Sequence, residues 1–429
     1  MIEGNKRTKS EALLYYIASK PGTPFEEQTA NKDRERLEDL NIFKKVDFDT
    51  NRADSNLILK FIVQEKLNIV LIPSINLVTQ YLEIIARDPD SNSNQVRYDT
   101  TYDYFLVFAP QITLHNFRGR LETLELNLSF GRVQQYRLAW TVPHFSPYQL
   151  IYATSFFYLN RPNLFQIPGK RETFLYYNNT FGKNLTRHLR FFYTLSYNQV
   201  GVEDSLTLTE GVDRFISQGL AVNHNSLHPL FLPERGLYWV WQISYSGNTQ
   251  LPRISFFDHV SEIRKYFTYQ ERHTLALRLQ FKQTYGRYPF YRDLAVGNPE
   301  NIRNHFFEKF PNLTSTYYHS GHNLFGFGNL EYRYSLGQNP QTGIQILDQF
   351  RMKFYLTAFV DVGGVWRDED QFSPPQIKPP DHPTRFLNGA GIGLLAFSPF
   401  FYKSGGFYLY YNSKEKYYMS LFIQVDLPF

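Results

Sequence analysis

The sequence predicts a membrane all-β fold class: a sixteen-stranded antiparallel outer-membrane β-barrel over residues 67–429, preceded by a small α/β domain over residues 1–66. Three observations predict it. From Leu67 onward no convincing helical period occurs; segments of about ten residues with alternating polarity recur between turn residues, the weak per-segment signature of membrane-crossing strands. The 32 Tyr and 39 Phe lift the aromatic share to 17% while the charged share stays at 20%, an excess that girdles at two membrane interfaces account for. Finally, Tyr417–Phe429 has a period of two, with Tyr417, Met419, Leu421, Ile423, Val425, Leu427 and Phe429 on one apolar face and Ser420, Gln424 and Asp426 on the wetter one. The chain stops there on an aromatic carboxylate, as last strands that close outer-membrane barrels do.

Composition bounds the function classes. Mean hydropathy is negative and no run approaches the roughly 18 apolar residues of a membrane helix, so any spanning falls to strands. A net charge of +5, without a basic run interleaved with aromatics, makes no case for nucleic acid. Absence of Cys fits an oxidising envelope compartment. No signal peptide opens the chain, which for an exported protein implies a true start upstream of Met1. No phosphate loop, His-Glu-x-x-His or Gly-x-Ser-x-Gly elbow occurs. Gly389-Ala390-Gly391-Ile392-Gly393 copies part of a dinucleotide fingerprint without a βαβ unit around it. His115, His144, His224 and His228 have no ligand spacing and read as turn and rim residues. The expectation is a non-enzyme with no catalytic residue, cofactor or metal.

In the first 66 residues a short strand around Ile2 precedes a helix over Ser10–Ser19, with Leu13, Tyr16 and Ile17 on one face. Pro21-Gly22-Thr23-Pro24 breaks it, and a charged helix follows over Glu26–Leu40 with Leu37 and Leu40 inside. Phe43, Val46 and Phe48 start a strand, Asn51–Ser55 is a turn, and Leu57, Leu59, Phe61 and Val63 alternate in the last strand. The order is β-α-α-β-β. Such a domain offers a free sheet edge to an incoming strand.

Sixteen strands follow, from Ile69–Leu77 and Tyr104–Leu114 to Tyr417–Leu427. Their facing is specific. Leu275, Leu277, Leu279 and Phe281 oppose Thr274, Arg278, Gln280 and Lys282. Leu324, Leu330, Tyr332 and Tyr334 oppose Asn329, Glu331, Arg333 and Ser335, and Phe354, Leu356, Ala358, Val360 and Val362 oppose Lys353, Thr357 and Asp361. A charge facing lipid at mid-bilayer costs about 2–4 kcal/mol, so the ionisable faces turn inward. A soluble barrel with an apolar inside has the same period, and periodicity alone does not separate the two. Aromatic clusters such as Phe156-Phe157-Tyr158 and Phe191-Phe192-Tyr193 favour the membrane.

The residues also carry a resemblance. Gly4-Asn5, Thr8, Gly22, Asp33, Leu37, Asn41-Ile42-Phe43, Val46, Val63 and Glu65 resemble a POTRA domain, the periplasmic module of the Omp85 superfamily. Ile302-Arg303, between the eleventh and twelfth strands, is similar to the first half of that superfamily's inward-folded loop signature; Asn304-His305 departs from its Gly-aromatic second half. Asn329–Tyr334, Ala358–Trp366, and Asn388–Gly393 with Ser398-Pro399 look like its twelfth to fourteenth strands.

The resemblance implies work on other polypeptides: insertion of barrel proteins into the outer membrane, or movement of a passenger across it. It implies lipids, client polypeptides and periplasmic or lipoprotein accessory subunits as partners. It also implies that Arg303 meets Glu331 or Asp361 through a bidentate contact that Lys could not reproduce. The alternative is an Arg303 on a solvated outer loop. Met419–Leu427 against Ile69–Leu77, with Pro73 removing a ladder donor, is the expected seam, and its residues include Leu421, Ile423, Val425, Leu427 and Phe429. Two other readings are a barrel that anchors an upstream lipase- or phosphoesterase-like domain, and a passive porin.

Overall fold

The α/β domain forms because two helices present one apolar stripe each to one face of a small sheet. In the computed structural model its elements are β1 (Ile2–Glu3), α1 (Ser10–Leu14), α2 (Glu27–Asp39), β2 (Phe43–Ala53) and β3 (Asn56–Glu65). The structure describes residues 1–40, 42–53, 56–72, 75–87, 96–144, 150–162, 171–201, 209, 211–228, 232–289, 323–338, 352–366, 385–398, 403–412 and 416–424. The sheet order is β1-β3-β2, with β1 parallel and β2 antiparallel to β3, so β2 is an edge strand. Leu13, Ile17, Leu37, Phe43, Val46, Phe61 and Val63 form the core.

Two elements differ from the sequence reading. α1 has five residues and does not reach Ser19. The buried carboxylate of Asp33 on α2 accepts the amides of Ala18 and Ser19, both at 2.9 Å, and the Ser19 hydroxyl at 2.7 Å. A side chain from the next helix thus takes the backbone groups that a longer α1 would have used. The predicted turn at 51–55 gives way to a tighter hairpin, with Asn51 opposite Ile58 and Ala53 opposite Asn56.

Beyond residue 66 the strands are β4 (Ile69–Ile72), β5 (Ile75–Arg87), β6 (Val96–Phe108), β7 (Gln111–Phe117), β8 (Glu122–Ser129) and β9 (Gln134–Val142). Next come β10 (Leu150–Pro162), β11 (Arg171–Asn184), β12 (Leu189–Gly201), β13 (Val212–Asn225), β14 (Gly236–Asn248) and β15 (Ser255–Tyr269). The last six are β16 (His273–Gly286), β17 (Leu324–Gln338), β18 (Lys353–Trp366), β19 (Arg385–Ser398), β20 (Lys403–Asn412) and β21 (Lys416–Gln424). One sheet contains sixteen strands, β4 then β7 to β21 in sequence order, and β5 pairs with β6 separately. The fold is the predicted sixteen-stranded membrane barrel, with its first two strands each divided. Pro110, which has no N–H to give a ladder, lies between β6 and β7. Among the described residues no helix is long and apolar enough to cross a membrane.

By contacts the chain forms two compact units. One holds Met1–Leu82, Thr100–Pro162 and Thr173–Lys183; the other holds Glu83–Asp99, Asn163–Glu172 and Asn184–Phe429.

Facing decides between a membrane barrel and a soluble one. On β16, Thr274, Ala276 and Arg278 are buried while Leu275, Leu277, Leu279 and Phe281 are exposed. On β17, Asn329, Glu331 and Arg333 are buried and Leu330 and Tyr332 exposed; on β18, Thr357, Phe359 and Asp361 oppose exposed Leu356, Val360 and Val362. The charges lie inside and the aliphatic side chains outside. In water such an outer wall would be one large apolar patch; against lipid chains it is the low-energy arrangement.

Candidate functional site

Four strands, β15 to β18, bring their ionisable residues onto one interior wall. Register places Arg264, Arg278, Asn329 and Asp361 in one cross-strand row. The row on one side holds Glu262, Gln280 and Phe327; the row on the other holds Tyr266, Ala276, Glu331 and Phe359. Arg264 directly opposite Arg278 would repel. Glu262 resolves this by accepting the Nε of both, Arg278 at 2.9 Å, and the Gln280 amide at 3.0 Å. Arg333 Nε donates to the Glu331 carboxylate at 2.5 Å, and the Asn329 amide donates to Asp361. Aromatic rings line the cations: Arg278 lies 5.5 Å from the Phe327 ring centroid, Lys282 5.4 Å from Phe325, and Arg333 5.9 Å from Tyr266. Buried charges are tolerated only when paired in this way. The result is a wall of interleaved cations, carboxylates and aromatic rings on the interior face. Among the described residues no group of His, Asp or Glu is arranged to hold a metal ion.

A second constellation joins the α/β domain to the turn between β7 and β8. The Glu65 carboxylate accepts the Thr8 amide at 2.7 Å, the Thr8 hydroxyl at 2.5 Å and the Arg7 amide at 3.1 Å. Burial pushes the Glu65 carboxyl up, but these hydrogen bonds from Thr8 and Arg7 together outweigh it and hold it below its ordinary value. Arg7 also donates to Asn68 and to the Lys66 carbonyl, both at 2.7 Å. The clamped segment then meets the turn. Asn116 donates to the Thr8 hydroxyl at 2.7 Å, and the Lys9 amide donates to the Gly119 carbonyl at 2.8 Å. Gly119 has φ +72°, and a Cβ there would lie 2.2 Å from the Arg7 carbonyl oxygen, so backbone approach and φ both require glycine. Leu121 packs on the domain core. After β9, His144 stacks on Tyr15 at 4.5 Å and bonds the Tyr16 hydroxyl at 3.0 Å; burial pushes its imidazole down.

A family model described as the Omp85 superfamily domain matches residues 116–402, and one described as a surface antigen variable number repeat, POTRA, matches residues 1–66. The chain belongs to the Omp85 superfamily. Among curated proteins none matches it. It is similar in fold to BamA from Haemophilus ducreyi lacking POTRA domains 1–3, at 15% identity and a TM-score of 0.60, over 99% of this chain and 81% of that one. It is also similar to CdiB from Acinetobacter baumannii (13% identity, TM-score 0.54, 97% and 71% covered) and CdiB from Escherichia coli (12%, 0.56, 98% and 74%).

In this Omp85 barrel the residues singled out by sequence fall into three groups. Glu331 and Asp361 stand on the buried interior face, opposite Phe359 and Asn329 respectively. Leu421 and Ile423 lie in β21, opposite Phe407 and Gly405 of β20, and the strand order ends on β4 and β21. Ile302 and Arg303, with Pro73, Val425, Leu427 and Phe429, lie outside the described residues. Sequence reasoning missed two features. Glu262 and Arg264 alternate with Tyr266 on the face that holds Arg278, a pattern visible in the sequence once the register of β15 against β16 is known. The connection from β13 to β14 carries Leu227 and Leu232 where a solvated turn would be polar, and both are packed inside.

Proposed function

We propose that the chain is a non-enzymatic outer-membrane machine that inserts barrel proteins or passes a polypeptide across the membrane, with its POTRA domain, residues 1–66, in the periplasm. The observation that carries this reading is the pair of inward carboxylates, Glu331 and Asp361, on the strands that follow the connection bearing Ile302 and Arg303. A passive pore has no use for an arginine loop or for inward carboxylates placed to meet it. In this reading Arg303 reaches the wall and forms a charge-assisted contact with either carboxylate, fixing the loop.

The sheet ends carry the second half of the mechanism. β4 and β21 terminate the described strand order. In this reading the backbone N–H and C=O groups of such edges template an extended client strand at the seam expected from Leu421, Ile423, Val425, Leu427, Phe429 and Pro73. The β2 edge of the POTRA sheet offers an earlier docking site for the same kind of segment. Accessory periplasmic or lipoprotein subunits belong on the POTRA side.

The test is Arg303→Ala with Arg303→Lys, measured by insertion or translocation of a client in reconstituted vesicles. Both variants are expected to lose activity while far-UV circular dichroism is retained. Wild-type activity in both would remove the arginine loop from the mechanism.

A further inference from the structure

The β13–β14 connection continues the hairpin as far as an antiparallel bridge between His228 and Arg235, and its tip then reaches well beyond its own two strands. Four strands separate β14 from β19 in the sheet, yet Leu232 packs with Tyr355 of β18 and with Leu395 and Phe397 of β19, and is 3% exposed. All three partners share the interior face with Thr357 and Asp361. Beyond the His228–Arg235 bridge, Leu232 therefore lies on the interior face. Leu227 lies against Tyr266 and Ala276 on the way. Its backbone is recognised as a bound peptide would be. Arg333 Nη1 donates to the Pro233 carbonyl at 3.5 Å, Thr268 Oγ1 donates to the Glu234 carbonyl at 2.5 Å, and Lys353 pairs with the Glu234 carboxylate at 3.6 Å. The start of the return strand is equally tight: a Cβ on Gly236, φ +114°, would lie 2.2 Å from the Ser226 carbonyl oxygen.

Leu232 itself has φ +52°, a left-handed conformation that a side-chain-bearing residue adopts only when its surroundings hold it there. Its surroundings are the hairpin bonds from Glu234 and Arg235 to the His228 carbonyl and the pocket of Tyr355, Leu395 and Phe397. Such an arrangement is an occupied site, made of an apolar pocket, two side-chain donors to consecutive carbonyls, and a lysine for an acidic side chain next to them.

We propose that this interior site binds a polypeptide segment with an apolar residue and, two positions on, an acidic one, and that Leu232–Glu234 occupies it in cis until a client segment displaces it. The inference rests on the reading of the barrel as a machine that handles polypeptides. Arg333 and Lys353 are then recognition residues of the interior wall, and Leu232 is an internal competitor that keeps the site shut.

The chain has no cysteine, so Leu232→Cys with Phe397→Cys introduces one lockable contact. Purified barrel in planar bilayers, and binding of a fluorescent peptide with the sequence of residues 226–236, give two readouts that involve no client. Leu232→Ser is expected to raise conductance and to bind the peptide about tenfold more tightly than the oxidised double-cysteine variant. Reductant, by releasing the tether, should raise both conductance and peptide binding in the latter. Lys353→Ala is expected to weaken peptide binding while circular dichroism shows retained β-structure. Equal conductance and equal peptide binding in the oxidised, reduced and Leu232→Ser forms would overturn the site. A positive result here combined with an inert barrel in client assays would instead remove the polypeptide-handling reading and leave the β13–β14 connection as a plain plug.

Discussion

The POTRA domain and the barrel wall solve opposite solvation problems with the same residue types. In the domain, Leu13, Leu37, Phe61 and Val63 are buried, and Asp33 is admitted to the interior because it caps two backbone amides. On β15 to β18 the interior holds Glu262, Arg278, Glu331, Arg333 and Asp361, and leucines of β16 and β17 point out. Burial is therefore not a measure of apolarity in this chain; the solvent on the far side sets it. Water outside drives aliphatic side chains inward. Lipid outside removes that drive and penalises charge instead, so the charged side chains retreat to one another.

The largest expected effect tests whether apolar contacts differ in kind between the regions. Leu37→Ala leaves a cavity that a packed core cannot refill and should cost about 2–5 kcal/mol. Leu330→Ala on the outer wall should cost about 1 kcal/mol or less, because lipid chains refill the space. Urea unfolding separates the two, since Trp140, Trp239, Trp241 and Trp366 all lie beyond the domain and report the barrel, while amide exchange reports the domain. Comparable losses at both positions would break the comparison. The reverse substitution sharpens it. Val360→Arg, at the middle of β18 and facing out, should destabilise the barrel by about 2–4 kcal/mol. Ile62→Arg, on the exposed face of β3, should change the domain by no more than about 0.5 kcal/mol.

What can be read from the sequence follows from the same contrast. Alternation along one strand is a local property, so the inward turn of Arg278, Glu331 and Asp361 and the outward turn of Leu277 and Val360 are legible in the residue pattern alone. Contacts between elements are not. The length of α1 depends on an acceptor fourteen or fifteen residues away, Asp33. The pairing of Glu262 with Arg278 depends on the register of β15 against β16, which no single strand encodes. The division of the second strand is signalled by Pro110 but is outweighed by the continuous aromatic and aliphatic pattern around it. The β13–β14 connection is signalled by its apolar residues; the destination of Leu232, five strands on, is not.

The smallest expected effect concerns the joint where a water-solvated domain meets the barrel turn, and it is read in pH. The Glu65 carboxyl is held below its ordinary value of 4.5, so its contribution is complete above 4.5 and is lost as pH falls through its lowered folded value. The His144 imidazole is pushed below 6.5 by burial, so the neutral ring supports the joint above 6.5 and withdraws that support as pH falls from there toward its lowered folded value. Docking should therefore weaken in two steps, His144 first and Glu65 second. The Lys9 amide, bonded to Gly119 across the joint, reports both through its exchange protection once the intrinsic rate is divided out. His144→Phe keeps a ring to stack on Tyr15 and should erase only the upper step. Glu65→Gln should erase the lower step and reduce protection at every pH, because a neutral amide is a poorer acceptor for the Thr8 and Arg7 donors. A protection profile with no step between neutrality and the ordinary glutamate range would mean that the two side chains pack at the joint without controlling it.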